Sequence, residues 1–255
     1  MTSEQQHQSS TDPVDGGDRL LWVTGAGSGM GRASALSAAR NGRRVVLSGR
    51  REEALQQVAD EVRRSGGTAA VVPLDVSDPA AVAETHARVR AEHGPVHDVV
   101  LSAGLNTPQR CWRDQSLQEF QAIVGTNLVG VAAVVDAVLP DLREVGGGVV
   151  VLVSSYSGWR PSPDAGVAYS ASKTALSSLA ESLNAQEHHH GVRACNLCPG
   201  DVDSDFLAMR PRVPDEVARR TMLTPDDVAR AVQFVLDCPP HVRIDELVIS
   251  PTTTS

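Results

Sequence analysis

The run Leu20-Leu21-Trp22-Val23-Thr24, passing directly into Gly25-Ala26-Gly27-Ser28-Gly29-Met30-Gly31, constrains this 255-residue chain more than any other stretch. Its apolar half reads as a short buried strand, its glycine half as a tight turn, and the segment to Arg40 as a helix. Strand, glycine turn and helix in that order make a phosphate cradle. Glycines let the backbone approach a pyrophosphate, and the first helical turn adds aligned N–H groups and partial positive charge. Gly25, Gly29 and Gly31 form G-x-x-x-G-x-G and not the generic G-x-G-x-x-G, so a plain tight turn also fits the loop taken alone.

Downstream, strand-like and helix-like segments alternate. Arg44 to Ser48 is a second strand, followed by Gly49-Arg50-Arg51 and a helix to about Ser65. A fold that prefers NAD places a carboxylate after this strand to hold the adenosine ribose. Here guanidinium groups take that place, and they suit a 2′-phosphate, which a carboxylate would repel. The expectation is NADP(H) in preference to NAD(H), held chiefly by Arg50 with Arg51 beside it; the alternative is that both arginines solvate a helix start. Ala69 to Leu74 is a third strand ending in Asp75-Val76, where a carboxylate would face the ligand side of an open sheet and meet an adenine amino group. Capping of the helix that begins near Pro79 needs only Asp78.

Asp98 to Leu101 is a fourth strand, opening onto Ser102-Ala103-Gly104, small enough for backbone to lie against a cofactor. A long helix from Ser116 to about Arg143 carries Asn127 mid-way, a residue of poor helix propensity. Val149 to Val153 is the fifth strand and delivers Ser154-Ser155. Val192 to Leu197 is the sixth and ends in Pro199-Gly200-Asp201-Val202-Asp203-Ser204. A helix from Pro225 capped by Thr224, and a last strand from Glu246 to Ser250, complete the chain. The alternation implies right-handed crossovers and an α/β, Rossmann-type doubly wound parallel sheet of about seven strands with helices on both faces. A single domain is expected over residues 19–255, preceded by a polar tail over 1–18 expected to be disordered.

The chemistry gathers at Tyr169 and Lys173. Positions four apart project from one helix face, so phenol and ammonium reach one point. Lys173 is the only lysine in the chain, and Tyr169 is one of two tyrosines. A lone lysine among arginines suits a task arginine cannot do, since its pKa can move and its proton can be passed on. Bringing a phenol of pKa about 10 near neutrality takes roughly 4 kcal/mol, and a cation at ~4 Å under an effective dielectric of ~20 supplies about that much. An exposed Tyr/Lys pair on an amphipathic helix is the alternative.

A net charge of −8 disfavours nucleic acid. No uninterrupted apolar run looks long enough to span a membrane, and no secretory signal opens the chain, so a cytoplasmic location is expected. Cys111, Cys195, Cys198 and Cys238 suit free thiols. Neither Cys195-x-x-Cys198, on and after a strand, nor His188-His189-His190, before Gly191, has zinc-like partners, so no metal is expected.

Together these residues resemble the short-chain dehydrogenase/reductase family from Leu20 to Pro251. The resemblance rests on T-G-A-G-S-G-M-G at 24–31, Asp75-Val76, Ala103-Gly104, Asn127, Ser155 with Tyr169-S-A-S-Lys173, and P-G-D-V-D-S from Pro199. It implies Tyr169 as general acid/base and Ser155 as the orienting hydroxyl. Lys173 would hold the nicotinamide ribose and lower the Tyr169 pKa, and Asn127 would anchor a water leading from Lys173 to solvent. The loop residues Gly25, Ser28, Gly29, Met30 and Gly31, and later Pro199, Gly200, Val202 and Ser204, would line the cofactor. Ser155 is preferred to Ser154 because Ser155-Tyr156-Ser157-Gly158 keeps the family's serine-x-x-glycine spacing. Ser102 replaces the family's frequent asparagine.

The implied reaction is reversible hydride transfer between nicotinamide and a small carbonyl or secondary alcohol. The alternatives are a non-catalytic NADP(H) sensor and an epimerase or dehydratase on the same fold. Asn106, Thr107, Pro108 and Trp112 after the fourth strand, Trp159 and Arg160 after the fifth, and Phe206, Leu207 and Met209 after the sixth are the expected pocket walls, suggesting a largely apolar substrate. The resemblance also implies a homodimer or homotetramer paired through the helices around Asn127 and Tyr169.

Overall fold

The computed structural model describes residues 19–160 and 162–252. The tail over 1–18 lies outside the described residues. Leu20–Thr24 forms β1, Gly29–Arg40 α1, Arg44–Ser48 β2, Glu52–Arg64 α2 and Ala69–Val71 β3. Pro79–His93 is α3, Asp98–Leu101 β4, Leu117–Val124 α4, Gly130–Glu144 α5, Gly148–Val153 β5, Tyr156–Trp159 α6 and Val167–Glu187 α7. Val192–Pro199 is β6, Glu216–Arg219 α8, Pro225–Leu236 α9 and Glu246–Ile249 β7.

All seven strands pair in parallel, in the order β3-β2-β1-β4-β5-β6-β7. The strands are near-continuous apolar runs because both faces are covered. Leu36 of α1, Leu55 of α2 and Val232 of α9 pack on one face with Leu21, Leu47 and Leu197. Val82 of α3, Val138 of α5 and Leu176 of α7 pack on the other with Trp22, Val99 and Leu152. The chain reverses its direction of winding between β1 and β4, which opens a crevice above their C-terminal ends.

Three boundaries differ from expectation. β3 stops at Val71, although Val72 and Leu74 still donate N–H bonds to Leu47 and Gly49; Pro73 falls between them, where the N–H of an edge strand would face away from β2 and none is needed. β6 runs on to Pro199 because β7 pairs with its end, Pro199 opposite Ile249. The long helix is two α segments joined by one π turn, Gly125–Val129, centred on Asn127. Joined, residues 117–144 make one helical stretch of 28 residues with a window of mean hydropathy 2.0, which by length and composition is enough to cross a bilayer. The expectation concerned uninterrupted apolar runs, and this stretch is interrupted by Asp136. Here the stretch lies against the sheet and α7, with 39% of that window buried.

Candidate active site

The crevice at the switch point is a cleft of about 290 Å³. Its floor is the glycine turn after β1. Gly25 has φ +66°, and a Cβ there would stand 2.7 Å from the Ala103 nitrogen and 2.8 Å from the Ser102 oxygen. Only glycine lets the turns after β1 and β4 lie this close. Ser28, Gly29 and Met30 also line the cleft, at the start of α1. Gly31 does not; a Cβ on it would lie 2.3 Å from the Gly25 oxygen, so its requirement is helix-on-turn packing.

Arg50, Arg51, Asp75 and Val76 form the far wall, and Ser102, Ala103 and Gly104 the back. Arg51 reaches across to the glycine turn, its Nη2 donating to Ser28 Oγ at 3.0 Å. Arg50 instead lies near Asp75, so the arginine tied to the loop is the second of the two. Asp75 accepts from the Ser77 N–H at 3.0 Å and hydroxyl at 2.7 Å. Burial tends to raise its pKa, but those two bonds and the Arg50 charge hold it below the ordinary carboxylate value. Asp78 caps α3 by accepting from Ala80 and Ala81, which leaves Asp75 free of capping duty.

These features fit a dinucleotide phosphate. A cradle that a Cβ would fill, a helix N-terminus and two guanidinium groups converge on one cleft. Of the segment after β6, Ser204 lines the cleft with Phe206. Pro199, Gly200 and Val202 do not: a Cβ on Gly200 would meet Pro251 at 3.0 Å, and Val202 bridges to Leu223. Their work is to end β6 and turn the chain toward Ser204.

Tyr169 and Lys173 lie one turn apart on α7 and both face the cleft. The Ser155 hydroxyl stands close enough to the Tyr169 phenol to lower its pKa, and Ser155 Oγ also caps α6 by accepting from the Ser157 N–H at 3.3 Å. Ser154 also lines the cleft, but its hydroxyl is engaged in donating to the Lys173 carbonyl at 2.9 Å. Adjacent serines leaving a strand point to opposite sides, which separates their roles. Lys173 is 4% exposed, and its Nζ donates to the Val153 carbonyl at 2.7 Å. Burial pushes the ammonium down from 10.5 to about 8, against a small opposing effect of the Cys198 thiol.

The electrostatics of Tyr169 differ from the sequence expectation. Burial raises the phenol above its ordinary value, and what pulls it back is the Ser155 hydroxyl, then the charges of Arg210 and Arg110. Lys173 Nζ sits 5.8 Å from the centroid of the Tyr169 ring and bonds to backbone. The lysine is thus too far from the phenol, and too desolvated itself, to be its main electrostatic bias here.

Asn127 is fully buried in the π turn. Its Oδ1 accepts from the Leu105 N–H at 2.7 Å, and its Nδ2 donates to the Leu105 carbonyl at 2.9 Å and to Ser172 Oγ at 3.2 Å. Ser172 in turn donates to the Tyr169 carbonyl at 2.8 Å. The side chain expected to anchor a water is therefore engaged in stapling the turn after β4 to α7.

The substrate walls were the least legible part. Phe206 stacks obliquely on Tyr169, centroids 5.8 Å apart, and lines the cleft. Trp112 is 84% exposed and away from it. Trp159 packs edge-on against Tyr156 beneath Arg160, Leu207 is buried in packing, and Asn106 donates to the Ala165 carbonyl at 3.0 Å. Met209, an expected wall, lines the cleft, and so does Thr126, which had not been singled out and could have been found as the neighbour of Asn127. Arg110 was also missed, because a lone arginine in a loop has no sequence signature. Among the described residues no group of His, Cys, Asp and Glu could hold a metal ion. Burial pushes the Cys195 and Cys198 thiols up to about 12 and 11, so both stay protonated.

Comparison with known proteins agrees with the geometry. The family described as short chain dehydrogenase matches residues 19–213. The chain is 32% identical over 239 residues to sulfoacetaldehyde reductase 2 of Chromohalobacter salexigens, covering 91% of this chain and 94% of that one. It superimposes with a TM-score of 0.84 and 30% identity on an alcohol dehydrogenase from the archaeon Thermococcus sibiricus complexed with 5-hydroxy-NADP, covering 93% and 98% of the two chains. The same score and identity relate it to the closed form of a serine dehydrogenase complexed with NADP+, over 92% of this chain and 96% of that one.

Proposed function

The chain is an enzyme of the short-chain dehydrogenase/reductase family, and on that premise we propose that it is an NADP(H)-dependent oxidoreductase interconverting a small carbonyl compound and its alcohol. The observation that carries the proposal is the placing of Tyr169 and Lys173 on the wall of a glycine-floored cleft, with the Ser155 hydroxyl acting on the phenol.

Gly25, Ser28 and Gly29 would hold the pyrophosphate at the start of α1, and Asp75 the adenine. Arg51, already tied to Ser28, and Arg50 beside Asp75 would hold a 2′-phosphate, which supports NADP(H) over NAD(H). Lys173 would hold the nicotinamide ribose. A bound nicotinamide supplies or accepts the hydride. Tyr169 gives its proton to the carbonyl oxygen during reduction and takes it back during oxidation, while Ser155 fixes the position of that oxygen. Desolvation keeps the phenol protonated at neutral pH, which suits the reductive direction.

An epimerase or dehydratase would use the hydride transiently and leave the cofactor unchanged. Stoichiometric loss of NADPH absorbance with a panel of aldehydes and ketones tests the oxidoreductase reading, and product formation without it would sink it. A homodimer or homotetramer is supported by the apolar 117–144 stretch, whose Leu117 and Val129 are exposed in the single chain. Four free cysteines, three of them buried, fit a reducing cytoplasm.

A further inference from the structure

Two consecutive residues at the end of β5 grip Lys173 at both of its ends. The Val153 carbonyl accepts from the lysine Nζ at 2.7 Å, and the Ser154 hydroxyl donates to the lysine's backbone carbonyl at 2.9 Å. Both bonds are buried: Ser154 is 3% and Lys173 4% exposed, at the wall of the cleft. The Ser154 N–H in turn donates to the Leu197 carbonyl at 2.7 Å, so the serine is itself fixed by β6. Amine and backbone of the lysine are thereby both referred to one strand end.

A third residue makes room for the grip. Gly158 of α6 packs where a Cβ would stand 2.5 Å from Ser154 Oγ and 2.7 Å from the Lys173 carbonyl oxygen. Any side chain there would drive hydroxyl and carbonyl apart. Nor does α7 need this bond in order to form. Lys173 lies inside a 21-residue helix, whose interior carbonyls already accept from the N–H four residues on. A buried hydroxyl must find a partner, and any nearby carbonyl would satisfy it; this one belongs to the residue whose amine faces the cleft.

Resting on the oxidoreductase reading of the same site, we infer that Ser154 is a positioning residue, whose hydroxyl sets where Lys173 stands on the cleft wall and so where Nζ meets the nicotinamide ribose. It takes no part in the transfer itself and acts through the lysine. With amine and carbonyl both held, the four-carbon stem between them has little freedom left, and an amine ordered in advance loses less entropy on taking up its partner. The titratable groups beside that amine are Tyr169, its ring centroid 5.8 Å away on the same helix, and the Cys198 thiol of β6. The two serines after β5 thus divide the work, Ser155 toward the phenol and Ser154 toward the amine.

The full chain tests this through its single lysine, because isotopically labelled lysine gives one side-chain signal whose titration can be followed by NMR. Ser154→Ala should move that titration from about 8 toward 10.5 as water reaches the loosened amine, and should weaken NADP+ about tenfold by calorimetry. Ser154→Thr, which keeps the hydroxyl, should restore most of both. Gly158→Ala, which leaves both gripping residues in place, should reproduce the loss. In a Lys173→Met background Ser154→Ala should cost the same stability as before yet weaken NADP+ no further. Titration and NADP+ affinity both unmoved in folded Ser154→Ala, or an equal NADP+ loss with and without the lysine, overturns the role. If both move as expected while the unaltered protein reduces no aldehyde or ketone, the positioning of Lys173 stands and the oxidoreductase reading falls.

Discussion

At the N-terminal edge of the sheet Asp98 is buried between two arginines, whereas at the C-terminal edge Lys173 is buried with a backbone carbonyl as its acceptor. Asp98 accepts from Arg19 through both oxygens at 2.9 Å and from the Val149 N–H at 2.9 Å, with Arg43 at 3.5 Å. Burial would raise it, but the Arg19 bond and charge, the Arg43 charge and the Val149 N–H hold it below the ordinary carboxylate value. Lys173 has no such support, and burial moves it toward its neutral form. The same fold stabilises charge where the strands begin and destabilises it where they end. Charge made comfortable holds structure together, while charge made uncomfortable is available for proton transfer.

The largest expected effect breaks the comfortable end. Asp98→Ala takes the buried carboxylate from Arg19 and the Val149 N–H, leaves Arg43 with Asp237 and the Leu236 carbonyl, and should cost about 3–5 kcal/mol in chemical denaturation. A loss below about 1 kcal/mol would mean that the two ends do not differ as described. At the other end, Tyr169→Phe should lower turnover by at least about a hundredfold while NADPH still binds; unchanged turnover would remove the phenol from the mechanism. Arg51→Gln should weaken NADPH by about tenfold and leave NADH nearly unaffected, measured by fluorescence titration. Equal losses for both cofactors would assign Arg51 to the loop alone.

The smallest effect sharpens the comparison through pH. Lys173 titrates at about 8 in the fold and at 10.5 when unperturbed. Between those values the unfolded chain binds more protons, so stability rises with pH. Lys173→Met should abolish that rise, so that the gap between variant and unaltered protein changes from pH 8 to 10.5 and is flat below. Asp98 acts in the opposite range. Its depressed pKa gives stability that is present above the ordinary carboxylate value near 3.8 and is lost as pH falls through the folded value. Asp98→Asn should remove this part of the acid sensitivity.

Legibility follows the range of the forces. β1, α1 and β2 fall where the sequence places them, since apolar runs, a glycine turn and a helix start are local signals. Pairing Tyr169 with Lys173 was equally local, and the choice of Ser155 over Ser154 rested on a short spacing. The π turn at Asn127 was not local: it goes with bonds to Leu105 and Ser172, remote in sequence. Trp112 and Trp159 were misplaced for the same reason, because loop residues become walls only when other loops stand opposite them.

By itself, the order of residues determined the parallel α/β architecture, the glycine turn after β1 and the placing of Tyr169 and Lys173 one turn apart on a helix, since each depends on period and neighbour spacing. Tertiary structure alone decided which charges bias the phenol. Electrostatic energy depends on distance through space and on burial, and it brought Arg110 and Arg210 to Tyr169 while desolvating the lysine that stands one helical turn away.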